Sequence, residues 1–125
     1  MNKTIDLHVH STASDGTFTP TELVAEAKRC GLSAFALTDH DTVDGISEAL
    51  AAGEASGLEV IPGVELSTEY NETEIHVVGL FIDPANTELQ AELAKFRDNR
   101  DNRNLKMIEN FRKRDSGSPQ KICIV

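Results

Sequence analysis

The chain has no tryptophan, one tyrosine, four prolines and two cysteines in 125 residues. Two cysteines cannot staple a small domain, which excludes a disulfide-built secreted scaffold. Cys30 falls in a helical stretch and Cys123 near the end, and both read as unlinked thiols. Cys123 is third from the C-terminus and does not match a prenylation box. No apolar run approaches the length of a membrane span, and the first residues do not read as a basic-then-apolar leader. The expectation is therefore a cytoplasmic protein with no membrane partner. Basic residues are nearly missing from positions 1–94, where 17 acids face 3 bases for a net charge of −14. Residues 95–125 reverse the balance with 9 bases and 4 acids, a net of +5. An acidic body of this kind repels nucleic acid and phosphate unless bound cations cancel its charge locally. Histidine is absent after position 76.

What is present is ordinary for a globular domain, 39% hydrophobic and 26% charged, and the length suits one domain with a modest core. The stretch that organises the rest is Asp6-Leu7-His8-Val9-His10, on a first strand over residues 3–10. Side chains alternate along a strand, so Asp6, His8 and His10 share one face, and Ile5, Leu7 and Val9 take the other. Imidazoles two residues apart lie about 6–7 Å from each other along a strand that rises about 3.3 Å per residue, and can grip a cation between them. A lone His-x-His is equally a packed core residue beside a solvated one.

Beyond a polar loop at Ser11–Thr19, Thr19-Pro20-Thr21-Glu22 reads as a capping box with proline at the first helical position. The helix runs to about Arg29 with Leu23, Val24 and Ala27 inward, and Gly31 ends it. Ser33–Thr38 is a mostly apolar second strand, as expected where a parallel strand is covered on both sides. Asp39-His40-Asp41-Thr42 follows it, then a helix from Val43 to Ala55 stopping at Gly57. Leu58–Ile61 is a third strand, and Pro62-Gly63 is expected to bend the chain into a hairpin of Val64–Glu69 and Ile75–Ile82 around Asn71-Glu72-Thr73. Asn86 or Thr87 caps a third helix carrying Leu89, Leu93 and Phe96. The alternating order predicts an α/β fold with a parallel sheet, whose sites gather beyond the C-terminal strand ends. His8, His10, His40, Glu65 and His76 fall at such ends or in the hairpin, with Asp15 in the first loop. This imidazole–carboxylate mixture suits zinc, manganese or iron, and a carboxylate such as Glu65 can bridge two ions for phosphate-ester hydrolysis.

These words, Asp6-Leu7-His8-Val9-His10-Ser11, Asp15-Gly16, Thr38-Asp39-His40-Asp41, Gly63-Val64-Glu65 and His76, resemble in order the motifs of the PHP (polymerase and histidinol phosphatase) family over about residues 3–114. They look most like small stand-alone members acting on nucleoside bisphosphates and on 5′ ends of short RNA. The resemblance implies the N-terminal part of a distorted TIM-like (β/α)7 barrel with up to three divalent metal ions. His8 and His10 would bind one ion, Glu65 would bridge it to a second held by His76, and Asp15 with His40 would hold a third. A metal-bound hydroxide would be the nucleophile. Asp6 would orient a ligand histidine, and Asp39 and Asp41 would either do likewise or place charge at a helix start. The substrate implied is a phosphate-ester small molecule or a short nucleic acid.

The match also has a gap. The family draws further ligands from the C-terminal part of its barrel, and a TIM-type barrel takes about 250 residues. The expectation is therefore about half a PHP domain, residues 1–114, with 115–125 an aberrant tail from a frameshift or early stop. Such a half barrel would expose an unpaired edge and an apolar face, which a homodimer would cover. Two function classes stay open: an active phosphoesterase, and a truncated metal-binding fragment with little catalysis. An amidohydrolase also begins with His-x-His, but Asp15 and His40-Asp41 fit it poorly and no candidate lysine is evident. Arg97, Arg100 and Arg103 recur at i, i+3 and i+6. Phosphate or RNA-backbone contact by Arg100 and Arg103 competes there with a solvated helix face balanced by Asp98 and Asp101, and the latter carries more weight.

Overall fold

The computed structural model describes residues 3–114. Its elements are β1 (Thr4–Val9), α1 (Pro20–Arg29), β2 (Leu32–Leu37), α2 (Ile46–Ser56), β3 (Glu59–Tyr70), β4 (Thr73–Leu80) and α3 (Thr87–Arg114). The sheet order is β1-β2-β3-β4, parallel across the first three strands and antiparallel between β3 and β4.

Local chemistry accounts for most element ends. The Thr19 hydroxyl accepts from the Glu22 N–H at 3.2 Å, and the Glu22 carboxylate accepts from the Thr19 N–H at 3.1 Å. This reciprocal cap starts α1, and Gly31, in the left-handed region at φ 79°, follows its end. Helix α2 begins at Ile46 rather than Val43, because the Asp44 N–H turns back to the Thr42 hydroxyl at 3.2 Å. It closes on Gly57 at φ 72°. The Asn86 side chain, not Thr87, caps α3, taking the Leu89 N–H at 2.9 Å.

Helices α1 and α2 pack on β2 and β3 through Leu23, Val24, Ala27, Phe35, Leu37, Ile46, Ala49, Leu58 and Val60. Ala34 to Leu37 are all buried, as a parallel strand with two covered faces requires. Strand β1 differs. It is an edge, and Ile5 and Leu7, expected to form its apolar face, are exposed, as are Ile75, Val77 and Val78 on the opposite edge strand.

The expected bend at Pro62-Gly63 does not occur. One strand runs from Glu59 to Tyr70, and this dipeptide marks the point where a second partner joins instead. From Glu59 to Pro62 the strand pairs with β2 alone, and from Gly63 it also gains β4 on its other edge while the β2 side continues through residues 39–41. The Pro62 carbonyl accepts from the Ile82 N–H at 3.1 Å where the second edge begins to pair, and the ladder with β4 proper starts one residue later, past the missing N–H. Gly63 has no room for a side chain: a Cβ would lie 2.8 Å from both the Gly79 carbonyl oxygen and the Thr38 methyl carbon. The hairpin turn is two residues, Asn71 and Glu72, both at positive φ, the conformation whose twist matches antiparallel strands.

Helix α3 also runs on past Arg97, where the apolar pattern weakens, because its polar face finds partners elsewhere in the fold. The side chains of Met107 and Phe111, expected to resume an apolar stripe, lie outside the described residues, as does the tail 115–125.

Candidate metal centre

Strand β1 sends His8 and His10 to one side of the sheet. The backbone after β2 extends its ladder to β3, with Asp41 N–H donating to the Glu65 carbonyl at 2.9 Å and Glu65 N–H to the Asp39 carbonyl at 3.0 Å. That register sets His40 beside Glu65 as a parallel pair. The hairpin then carries His76 back across Glu65 from β4. Consecutive imidazole centroids are 5.1 Å (His8–His10), 4.4 Å (His10–His40) and 5.2 Å (His40–His76) apart.

Glu65, only 3% exposed, is the hub. Its Oε2 lies 2.7 Å from His10 Nε2, 3.1 Å from His8 Nε2 and 3.3 Å from His40 Nδ1, and its Oε1 lies 3.3 Å from His76 Nδ1. Asp15 closes the other side, with Oδ1 at 2.8 Å from His10 Nδ1 and Oδ2 at 3.2 Å from His40 Nε2. All six expected ligands are thus brought together. Among the described residues, His10 Nε2, His40 Nδ1 and Glu65 Oε2 are buried and crowd together at 2.7–3.3 Å with no well-aligned hydrogen bond between them. Imidazole nitrogens and carboxylate oxygens turned inward on one another are a donor set that fits a divalent cation. Three groups converge closely enough to hold one: His8-His10-Glu65, His10-Asp15-His40 and His40-Glu65-His76.

The flanking acids have different contacts. Asp6 accepts the backbone N–H of His8 at 3.1 Å and touches that residue through its backbone. Asp39, buried, accepts from the Ser11 N–H at 2.6 Å, the Ser11 hydroxyl at 2.7 Å and the Ser14 hydroxyl at 2.8 Å, pinning the loop that carries Asp15. Asp41, fully buried at φ 54°, accepts the Ser67 N–H at 2.9 Å. The arginines of α3 reach these groups rather than Asp98 and Asp101. Arg97 donates to the Asp41 carbonyl at 2.7 Å, and Arg100 lies 3.8 Å from the Asp41 carboxylate. Arg103 reaches Glu74 at 3.3 Å and Glu69 at 3.8 Å. Arg100 and Arg103, with Lys106, line a groove of about 450 Å³ against Ser67, Thr68 and Glu69. Sequence reasoning missed Glu74, whose Oε1 is 2.9 Å from His76 Nε2. The signal was there, since Glu74 precedes His76 by two strand residues as Asp6 precedes His8.

Burial pushes Glu65 up, but the His8 hydrogen bond and the His40, His8 and His10 charges outweigh it and hold it below the ordinary carboxylate value. Asp15 is likewise lowered, burial being overcome by His40 and His10. Burial lowers His40 against the pull of Glu65 and Asp15, whereas the Glu74 hydrogen bond raises His76. For the metal-free protein the signs oppose about the ordinary histidine value of 6.5. Below it the unfolded chain binds the His40 proton more readily, so stability falls with falling pH. Above it the folded chain keeps the His76 proton, so stability falls as pH rises through that group's folded value. Asp15 and Glu65 add further loss below their ordinary 3.8 and 4.5. Melting temperature in EDTA is therefore expected to peak near neutrality, and a melting temperature still rising toward pH 4 contradicts it.

Comparison with known proteins decides the ancestry: the family model described as PHP domain matches residues 6–113. The chain belongs to the PHP domain family. A 5′-3′ exoribonuclease of Haemophilus influenzae is 50% identical over 93 residues, covering 74% of this PHP chain and 34% of the relative. A 3′,5′-nucleoside bisphosphate phosphatase of Chromobacterium violaceum is 45% identical over 96 residues, covering 77% and 34%. The PHP chain thus spans about a third of the length of these curated relatives. Among solved structures, one of an amidohydrolase from Chromobacterium violaceum, with bound sulfate and no metal, superposes with a TM-score of 0.81 at 40% identity. It covers 93% of the PHP chain and 40% of that protein. A protein from Bifidobacterium adolescentis named as a metal-dependent phosphoesterase gives 0.78 at 34% identity, covering 89% and 39%. The mixed α/β sheet described above is accordingly part of the TIM-like PHP barrel.

Proposed function

We propose that this chain carries the metal centre of a phosphoesterase that hydrolyses phosphate esters of nucleotides or short oligonucleotides. The observation that carries the proposal is Glu65, a buried carboxylate with four imidazole nitrogens lying 2.7 to 3.3 Å from its two oxygens. His8 and His10 with Glu65 would hold one divalent ion, His76 with Glu65 a second, and Asp15 with His40 a third. Nitrogen and oxygen donors without thiolate suit manganese, zinc or iron. Bound there, such ions supply Lewis acidity, lower the pKa of a water and neutralise phosphoryl charge. The chain's own residues do the rest. Asp6 steadies the His8 backbone, Asp39 and Asp41 hold the segments that present Asp15 and His40, and Arg100, which lines one cavity with Asp15 and His40 and another with Arg103, would with Arg103 offer forked donors to a phosphate. Without such cations the acidic body would repel its substrate. Support also comes from the relatives, two of which are named for nucleotide or RNA-end hydrolysis and one of which binds sulfate, a phosphate-shaped anion.

The proposed site of action is the cytoplasm; no described helix is long and apolar enough to cross a membrane. The test is metal content after dialysis against Mn(II), together with hydrolysis of p-nitrophenyl phosphate and of a 3′,5′-nucleoside bisphosphate. Bound metal with EDTA-sensitive turnover is expected, and a chain that takes up no metal defeats the proposal. Bound metal without turnover favours the second reading, a truncated metal-binding fragment. A homodimer is proposed as well, because among the described residues β1 and β4 each have one strand neighbour and Ile5, Leu7, Ile75 and Val77 are exposed. Sedimentation should show concentration-dependent association, and a compact monomer at working concentration counts against it.

A further inference from the structure

Glu74 and His76 leave β4 on the same side, two residues apart. The His76 ring stands between two carboxylates: Nε2 faces Glu74 Oε1 at 2.9 Å and Nδ1 faces Glu65 Oε1 at 3.3 Å. A neutral imidazole has one N–H and one lone pair, so the carboxylate that takes the proton decides where the lone pair points. Glu74 makes the shorter contact. It is itself held from α3, where Arg103 Nη2 lies 3.3 Å from the same Oε1 and Nη1 lies 3.8 Å from Glu69.

We infer that Glu74 is a positioning residue for His76: by accepting a hydrogen bond from Nε2–H it turns the Nδ1 lone pair toward Glu65 and the cation those two groups would share, and Arg103 keeps Glu74 in that pose. The inference rests on the metal-centre reading above and extends it to two residues outside the ligand set. It makes α3 part of the centre, because the third arginine of its stripe acts on a ligand through one intervening carboxylate.

Two measurements on the full chain test it. Nitrogen-15 NMR of the histidine side chains in the unmodified, metal-free protein at pH 8 should find His76 in the Nε2–H form; a predominant Nδ1–H form overturns the inference. A Co(II) titration followed by visible absorbance should show that Glu74→Ala weakens the ion shared by Glu65 and His76 by about 10–100-fold, the loss typical of an orienting partner. The ion at His8, His10 and Glu65 should be retained. Arg103→Ala should weaken the same ion by less, and the double variant should be no weaker than Glu74→Ala. Wild-type Co(II) affinity and spectrum in Glu74→Ala overturn the inference. A wild-type chain that takes up no Co(II) defeats the metal-centre reading instead, and the NMR measurement, which needs no metal, still decides what Glu74 does to His76.

Discussion

Replacing Glu65 with glutamine is expected to lower the affinity for a divalent cation by at least about a hundredfold. Loss of a group that merely orients a ligand costs about 10–100-fold, and Glu65 is more than that. One of its oxygens lies within 3.3 Å of three imidazole nitrogens and the other faces a fourth. Glutamine keeps the volume but removes the negative charge, and puts an NH₂ group where inward lone pairs converge. Two of the three candidate groups contain Glu65, so both lose their only carboxylate, while His10-Asp15-His40 keeps Asp15. Metal bound per chain after dialysis, or calorimetric titration with Mn(II), reads the effect. The far-UV circular dichroism of the metal-free variant should stay that of the parent. Unchanged affinity in the glutamine variant would mean that the six groups do not act as a cation site.

The largest expected loss of stability is at Asp39. Replacement by alanine should cost about 3–5 kcal/mol, because a buried charge-assisted network is broken on one side. The Ser11 N–H and hydroxyl and the Ser14 hydroxyl all aim at this carboxylate, and Ser11 is fully buried, so its N–H is left without an acceptor where water cannot follow. A domain of this size is stable by about 5–15 kcal/mol in total, so the loss takes a large share of it. An asparagine side chain would retain the shape and one acceptor, and Asp39→Asn should cost less, about 1–3 kcal/mol. Urea unfolding followed by circular dichroism measures both. A loss below about 1 kcal/mol in the alanine variant, against the usual cost of an orphaned buried group, would show that the loop finds other acceptors. Since the same loop carries Asp15, the alanine variant should also weaken any cation held by His10, Asp15 and His40.

Several features were legible in the sequence because their causes are local. The capping box at Thr19–Glu22 satisfies backbone groups within three residues, and the alternation of Asp6, His8 and His10 follows from the pleat alone. Asn71 and Glu72 announce a tight turn by their short range. Pro62-Gly63 misleads for the same reason. Locally it is a breaker, yet here the chain continues straight, because the missing N–H falls where the second edge is only beginning to pair and the missing side chain lets β4 come close. Arg97, Arg100 and Arg103 likewise read as a solvated face when only Asp98 and Asp101 are in view. Their contacts are Asp41, Glu69 and Glu74, all 29 or more residues away along the chain.

The sequence by itself determined the candidate donors, the face that His8 and His10 share, the capped start of α1, the glycine stops of α1 and α2, and the PHP kinship. Only the tertiary structure decided which donors meet, that Asp39 serves a loop rather than a ring, and that Glu74 stands behind His76. Backbone pattern and capping act over a few residues, whereas convergence on Glu65 depends on the parallel register of β2 with β3 and on the return of β4. Those pairings are selected by packing across the whole sheet, and no stretch of sequence read alone contains them.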